Sequence, residues 1–271
     1  MSAPVMNARM YAVTAEVESL WRTLLEHITR NAGVTLRYLP YPAPQPLEEL
    51  WSRPDLGAVL MCGYPIALRL APVVPLAAPI PSTPWAQGRA VYRTDLIVRA
   101  DAPYRCLEDT FGGRAGWTVA HSQSGFNAFR HHLLRYRSAQ RPTLYGQVTG
   151  NLITARNVLD AVREGRIDVG PLDAYWHALI AQHAPSAVAG IRVLASTALT
   201  AMPAFVAGAG MPAQHIERLR TAFGGAAREP WFAPFRSQLL LAGFAAVEDK
   251  TFAPLLEWDA AARAAGYELP A

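Results

Sequence analysis

Lysine is almost missing from this chain: Lys250 is the only one among 25 basic residues, so the other 24 are arginines. They stand singly along the sequence, and the formal net charge is only +4. A surface that grips a nucleic-acid backbone needs clustered cations, so this scatter argues against a nucleic-acid partner despite a pI near 9.3. Cysteine is as scarce. Cys62 and Cys106 lie far apart and neither belongs to a CxxC pair, which points to neither a zinc site nor a disulfide framework. Long apolar runs are missing too. The run Val59–Cys62 stops at Gly63, and the stretch 72–80 is broken by Pro72, Pro75 and Pro79, so no membrane insertion is expected. The first ten residues lack a basic stretch followed by an apolar one. The sequence as given therefore reads as cytoplasmic, and as periplasmic if a leader was removed.

Catalytic signatures are equally absent. There is no G-x-S-x-G elbow, no HExxH and no GxGxxG, and Gly112-Gly113 and Gly224-Gly225 lack the Lys-Thr of a phosphate loop. His131 and His132 are adjacent on a predicted helix and point in different directions. No catalytic residue, metal site or cofactor is expected.

What is present is a globular composition, 51% apolar and 17% charged, in 271 residues, enough for two domains. Met10–Val13 reads as a short strand. Thr14 is placed to cap a helix whose apolar positions Val17, Trp21, Leu24, Leu25 and Ile28 recur at helical spacing until Gly33. Strand 34–39, a short helix 46–51 and the buried strand 57–62 continue the alternation of a parallel sheet with crossovers. A proline-rich stretch from Ala71 to Gln87 interrupts it, and Arg89–Arg99 then alternates as an extended strand. A second unit follows: strand 116–120, helix 124–136, strand 144–149, helix 152–164 ended by Gly165, strand 167–171 and helix 174–182. Strands 191–195 and 204–207 come next, and helices 212–223, 229–241 and 252–265 close the chain.

Four segments resemble a known family. Tyr92-Arg93-Thr94-Asp95-Leu96-Ile97-Val98-Arg99-Ala100-Asp101 is similar to an interlobe strand ending in V-x-A-D. Gly113-Arg114-Ala115-Gly116-Trp117-Thr118-Val119-Ala120-His121-Ser122-Gln123-Ser124-Gly125-Phe126 looks like a strand leading through an S-x-S-G turn into a helix. Thr149-Gly150-Asn151, with Val158, Val162, Gly165, Asp168-Val169-Gly170 and Asp173, resembles T-G-S-H followed by A-V-x-x-G-x-A-D-V-A-x-x-D, with Asn151 where a Ser-His pair is usual. Arg192–Ser196 and Met202–Ala207 resemble the returning interlobe strand. Together they resemble the phosphate/phosphite/phosphonate-type substrate-binding components of ABC transporters. The resemblance implies an α/β, two-lobed type 2 periplasmic-binding-protein-like fold with two interlobe crossing strands. One lobe would be built from 1–96 and 196–271, and the other, inserted, from 97–195. It implies a solute-binding protein, not an enzyme, that closes over a small anionic ligand, an organic phosphonate or a small, possibly aromatic carboxylate, with an ABC transporter permease as partner. A biosynthetic enzyme or a ligand sensor on the same fold is the alternative.

The candidate ligand residues follow. Ser122, Gln123, Ser124 and Gly125 stand where a strand gives way to a helix, and exposed N–H groups with two hydroxyls there suit an anion; either serine could instead simply cap the helix. Gly125 would let a ligand approach the backbone, and His121 could donate to the anion. Tyr64, after a buried strand, would stand at the carboxyl edge of the sheet, where ligands of open α/β sheets bind. Tyr92 and Arg93 face opposite ways on the crossing strand, and Arg93 offers a bidentate fork. Asp173 would take a proton from the ligand, as the resemblance implies, or cap the following helix.

Overall fold

In the computed structural model, which describes residues 3–271, the described chain forms two compact units. One comprises the chain up to Tyr92 with Ala201–Ala253. The other comprises Arg93–Thr200 with Pro254–Ala271. The final segment, expected in the first unit, thus belongs to the second, and the chain passes between units three times, after Tyr92, after Thr200 and after Ala253.

In chain order the strands are β1 Val5–Asn7, β2 Arg37–Tyr38, β3 Leu56–Met61, β4 Val73–Pro81, β5 Val91–Tyr92, β6 Thr94–Arg99, β7 Arg114–Gly116, β8 Gln147–Thr149, β9 Gly170–Asp173, β10 Ile191–Ser196, β11 Thr200–Ala201, β12 Ala204–Gly208 and β13 Leu241–Ala245. The helices are α1 Ala15–Ala32, α2 Leu47–Trp51, α3 Gly63–Ala67, α4 Ala128–Leu133, α5 Ala155–Arg163, α6 Ala174–His183, α7 Pro185–Val188, α8 Ala213–Gly225, α9 Ala233–Gln238 and α10 Pro254–Ala264. Among the described residues, no helix is long and apolar enough to cross a membrane.

The first unit is built on a six-stranded sheet ordered β13-β4-β12-β3-β1-β2. β1, β2 and β3 run parallel, and β12, β4 and β13 join antiparallel. The helix α1 starts where the sequence places it: the Thr14 hydroxyl accepts from the Val17 N–H at 3.2 Å, and Gly33 ends it in the left-handed conformation at φ 60°. Its stripe Trp21, Leu24, Leu25 and Ile28 is fully buried. Phe205, Phe223 and Phe244 add a ring cluster, with centroids 5.0 Å apart for Phe205–Phe223 and for Phe223–Phe244.

Three expectations fail here for identifiable reasons. The first strand is Val5–Asn7, not 10–13, because Arg9–Tyr11 makes a helical turn instead. The proline-rich stretch is a nine-residue strand. β4 pairs with β12 over 73–77 and with β13 over 78–81, so each proline has a ladder on one side only. The free side at Pro75 is used, since its carbonyl accepts from Arg220 Nη2 at 2.9 Å. Finally, the run 229–241 is not one helix. It breaks into short turns and α9, and Leu241 opens β13.

In the second unit β10, β6 and β9 form an antiparallel sheet, and a parallel bridge Ala115–Val169 links it to the parallel pair β7–β8. Its core gathers Leu96, Val98, Phe129, Leu133, Leu144, Val169 and, from the C-terminal segment, Tyr267. Asp168 clips β7 in place by accepting from the Arg114 N–H at 2.7 Å and from Arg114 Nη2 at 2.8 Å.

Candidate functional site

β7 ends at Gly116, and the chain continues through Trp117–Ser122 into a wide π-helical turn, Gln123–Asn127, that opens α4. Ser122 is extended, and its hydroxyl accepts from the Gly125 N–H at 3.0 Å, as a helix cap does. The Ser122 carbonyl in turn accepts from the Asn127 N–H at 3.0 Å. Gln123 is fully buried and faces the protein: its Oε1 accepts from Asn127 Nδ2 at 2.9 Å. Ser124 and His121 are half-buried. Gly125 is required by packing from beneath, because a Cβ there would lie 2.0 Å from Thr118 Oγ1 and 2.9 Å from Thr118 Cβ.

The turn is tied to the neighbouring strand. Thr94, the first residue of β6 and 1% exposed, donates from its hydroxyl to the Ser124 carbonyl at 3.1 Å. Thr94 is paired in register with Asp173, so the two side chains leave the same face of the sheet. Asp173 therefore stands on the face that carries the Ser122–Gly125 turn. Its carboxylate caps α6, accepting from the N–H groups of Tyr175 at 2.8 Å and Trp176 at 3.0 Å. Burial, reinforced by that carboxylate, holds the Tyr175 phenol well above its ordinary pKa.

Arg93 and Asp95 form a separate cluster. The buried Asp95 carboxylate accepts from Arg93 Nε at 3.2 Å and from the Ser196 hydroxyl at 2.8 Å, and lies 3.1 Å from His177 Nδ1. By the alternation of a strand this cluster occupies the face opposite Thr94. Tyr64 and Tyr92 belong to the first unit. Tyr64 is on α3 and 2% exposed. Tyr92 is fully buried, with its hydroxyl 4.0 Å from Cys62 Sγ. The second unit thus brings Ser122–Gly125 and Asp173 together and separates Arg93 from them.

A neighbouring loop completes the surroundings of the turn. The Trp117 N–H donates to the Thr149 carbonyl at 3.1 Å, and the Leu152 N–H returns to the Trp117 carbonyl at 3.1 Å. Gly150 packs closely against the indole: a Cβ there would stand 2.2 Å from Trp117 Cζ2. Asn151 follows in the left-handed region at φ 53°, which asparagine tolerates better than most residues. Sequence reasoning passed over Thr94, whose hydroxyl bonds the turn, and Thr118, whose side chain leaves no room for a Cβ at Gly125. A threonine on a strand is favoured there in any case, so nothing in the pattern marked them. Among the described residues no group of side chains could hold a metal ion.

Two α/β units assembled from a discontinuous chain, each around its own sheet, define the type 2 periplasmic-binding-protein fold. Within that class, the chain belongs to the family of ABC transporter phosphonate periplasmic substrate-binding proteins, whose model matches residues 11–252. Solved structures agree on the fold. A binding protein component of an ABC phosphonate transporter from Pseudomonas aeruginosa superposes with a TM-score of 0.80 at 15% identity, covering 98% of this chain and 88% of its own. PhnD1 from Prochlorococcus marinus, in complex with methylphosphonate, gives 0.76 at 13% identity over 98% of both chains. A protein of R. palustris solved with adipate gives 0.66 at 10% identity over 97% of both. Among curated proteins none matches the chain.

Proposed function

We propose that this solute-binding protein takes a small organic anion, a phosphonate or a carboxylate with an organic tail, and delivers it to an ABC transporter permease. The observation that carries the reading is the Ser122–Gly125 turn. It is a capped turn at a strand-to-helix junction, with Ser124 half-buried within it. Family membership supports the role, and the partners seen in related folds, methylphosphonate and adipate, are both small anions with an apolar part. Asp173 refines the ligand class. A carboxylate on the face of the turn repels a doubly charged group such as a phosphate dianion but tolerates a singly charged acid group, above all one that brings a proton to share. His121 adds a donor next to the turn. Tyr64, Tyr92 and Arg93 remain candidate contacts to be tested singly by substitution.

A thermal-shift panel of methylphosphonate, adipate and inorganic phosphate tests the reading. A ligand at a hundredfold excess over Kd stabilises the folded state by about 2.7 kcal/mol. A clear shift with an organic acid, a smaller one with inorganic phosphate and no conversion of the best binder is the expected result. A response to inorganic phosphate alone overturns the ligand class, and product formed from the best binder gives the protein to the enzymes of this fold.

A further inference from the structure

The Ser124 carbonyl and the Gly125 N–H belong to one peptide plane. The N–H end is held by the Ser122 hydroxyl at 3.0 Å, from within the turn. The carbonyl end is held by the Thr94 hydroxyl at 3.1 Å, from outside it. Thr94 is the second residue past the point where the chain enters the second unit. Its own backbone is locked to the strand by which the chain leaves: its N–H donates to Thr197 Oγ1 at 3.0 Å, and its carbonyl accepts from the Thr197 N–H at 2.9 Å. Thr197 stands just beyond the last paired residue of β10, Ser196, which registers with Asp95. One buried residue therefore joins both connecting strands, through its backbone, to one peptide of the turn, through its side chain.

We propose that Thr94 is a positioning residue: it sets the orientation of the Ser124–Gly125 peptide, and with it the donors of the turn, according to the position of the two connecting strands. The proposal rests on the reading of Ser122–Gly125 as the ligand site only for its consequence in binding. The coupling itself stands on the bonds above. A rotation of the connecting strand at Thr94 pulls the Ser124 carbonyl with it, and the other half of the same peptide turns the Gly125 N–H. The turn then has one orientation for each position of the strands, and a ligand that selects an orientation selects a strand position.

The test compares Thr94→Val, which keeps the shape and removes the donor, with Thr94→Ser, which restores it, in the full chain. Amide hydrogen exchange is read by NMR at Gly125 without ligand. The expected result is exchange about tenfold faster at Gly125 in Thr94→Val, the size of one lost hydrogen bond, with return toward the wild-type rate in Thr94→Ser. The amides of β3 keep their rates in both. An unchanged Gly125 rate in Thr94→Val overturns the proposal. So does a faster rate that Thr94→Ser fails to restore, since the packing of the side chain and not its hydroxyl would then hold the peptide. With methylphosphonate as probe, dissociation about tenfold faster from Thr94→Val supports the coupling, and equal rates overturn it. Failure of the wild-type protein to bind methylphosphonate counts against the proposed ligand alone, and the exchange result then decides the role of Thr94.

Discussion

Arg130 of α4 and Asp259 of α10 form a buried ion pair across 129 positions of sequence. The Arg130 side chain is 1% exposed and that of Asp259 12%. Arg130 Nη1 also donates to the Glu268 carbonyl at 3.0 Å, and Nη2 to Asn127 Oδ1 at 3.4 Å. Asn127 Nδ2 reaches both Gln123 Oε1 and the Leu255 carbonyl. The network runs from the turn at Gln123 to the C-terminal helix, and explains why that helix belongs to the second unit. Removing one member leaves a buried charge without its partner. Asp259→Ala is expected to cost about 3–5 kcal/mol in urea unfolding, and Arg130→Met with Asp259→Leu much less. Equal losses in the single and double variants would mean that packing, not charge, holds α10.

The sequence announced the elements whose signals are local. Thr14 and Gly33 bound α1 because a cap hydroxyl and a left-handed glycine act within one turn of the chain. The strand-to-helix change around Ser122 was legible for the same reason. The strand β4 was not, since prolines are tolerated there only because its two neighbours pair with different halves of it, a fact of sheet assembly. The place of α10 was hidden as well: its buried ion pair joins one arginine among 24 to a partner that lies far along the chain. The separation of Thr94 from the Arg93–Asp95 cluster was hidden too, because it depends on how β6 pairs with β9 and β10.

The two serines of the turn are expected to separate. The Ser122 hydroxyl is spent on the Gly125 N–H, so Ser122→Ala should lower the unfolding free energy by about 1 kcal/mol, the scale of a lost cap. Ser124→Ala should leave stability within about 0.5 kcal/mol and weaken methylphosphonate binding by about 1–3 kcal/mol, the scale of a charge-assisted bond. Calorimetry and urea unfolding on the same preparations check both. Unchanged affinity in Ser124→Ala would assign the turn to helix capping alone.

Gly125 and Gly150 are expected to tolerate no side chain, for different reasons. An added methyl at Gly125 meets the branched carbon and oxygen of Thr118, while one at Gly150 meets the rigid ring of Trp117. Gly125→Ala should be partly rescued by Thr118→Ala, which removes the hydroxyl oxygen and the methyl that the new Cβ would meet. Gly150→Ala should destabilise by about 1–3 kcal/mol, the usual cost of overpacking, and recover only when Trp117 is shortened. Melting temperatures of the single and double variants show the pattern, and additive losses in both pairs would contradict these contacts.

His132 sits on α4 with 6% of its surface exposed and, among the described residues, both ring nitrogens without a hydrogen-bond partner. Burial pushes its pKa down from the usual 6.5 to about 4, helped by the charges of Arg135 and His131 and opposed by Glu108. The unfolded chain therefore takes up the proton first. Stability from the neutral ring is complete above pH 6.5, falls as the pH drops below it, and levels off below about 4. At about 1.4 kcal/mol for each pH unit of separation, the loss reaches about 3 kcal/mol across that window. His132→Leu removes the titrating group and fills the same apolar space, so its unfolding free energy should fall less between pH 7 and pH 4. The difference between the two proteins, read from urea unfolding at intervals of half a pH unit, isolates this histidine from the carboxylates that titrate in both. If the two curves stay parallel from pH 7 to pH 4, the ring is hydrated in the folded protein and does not control its acid sensitivity.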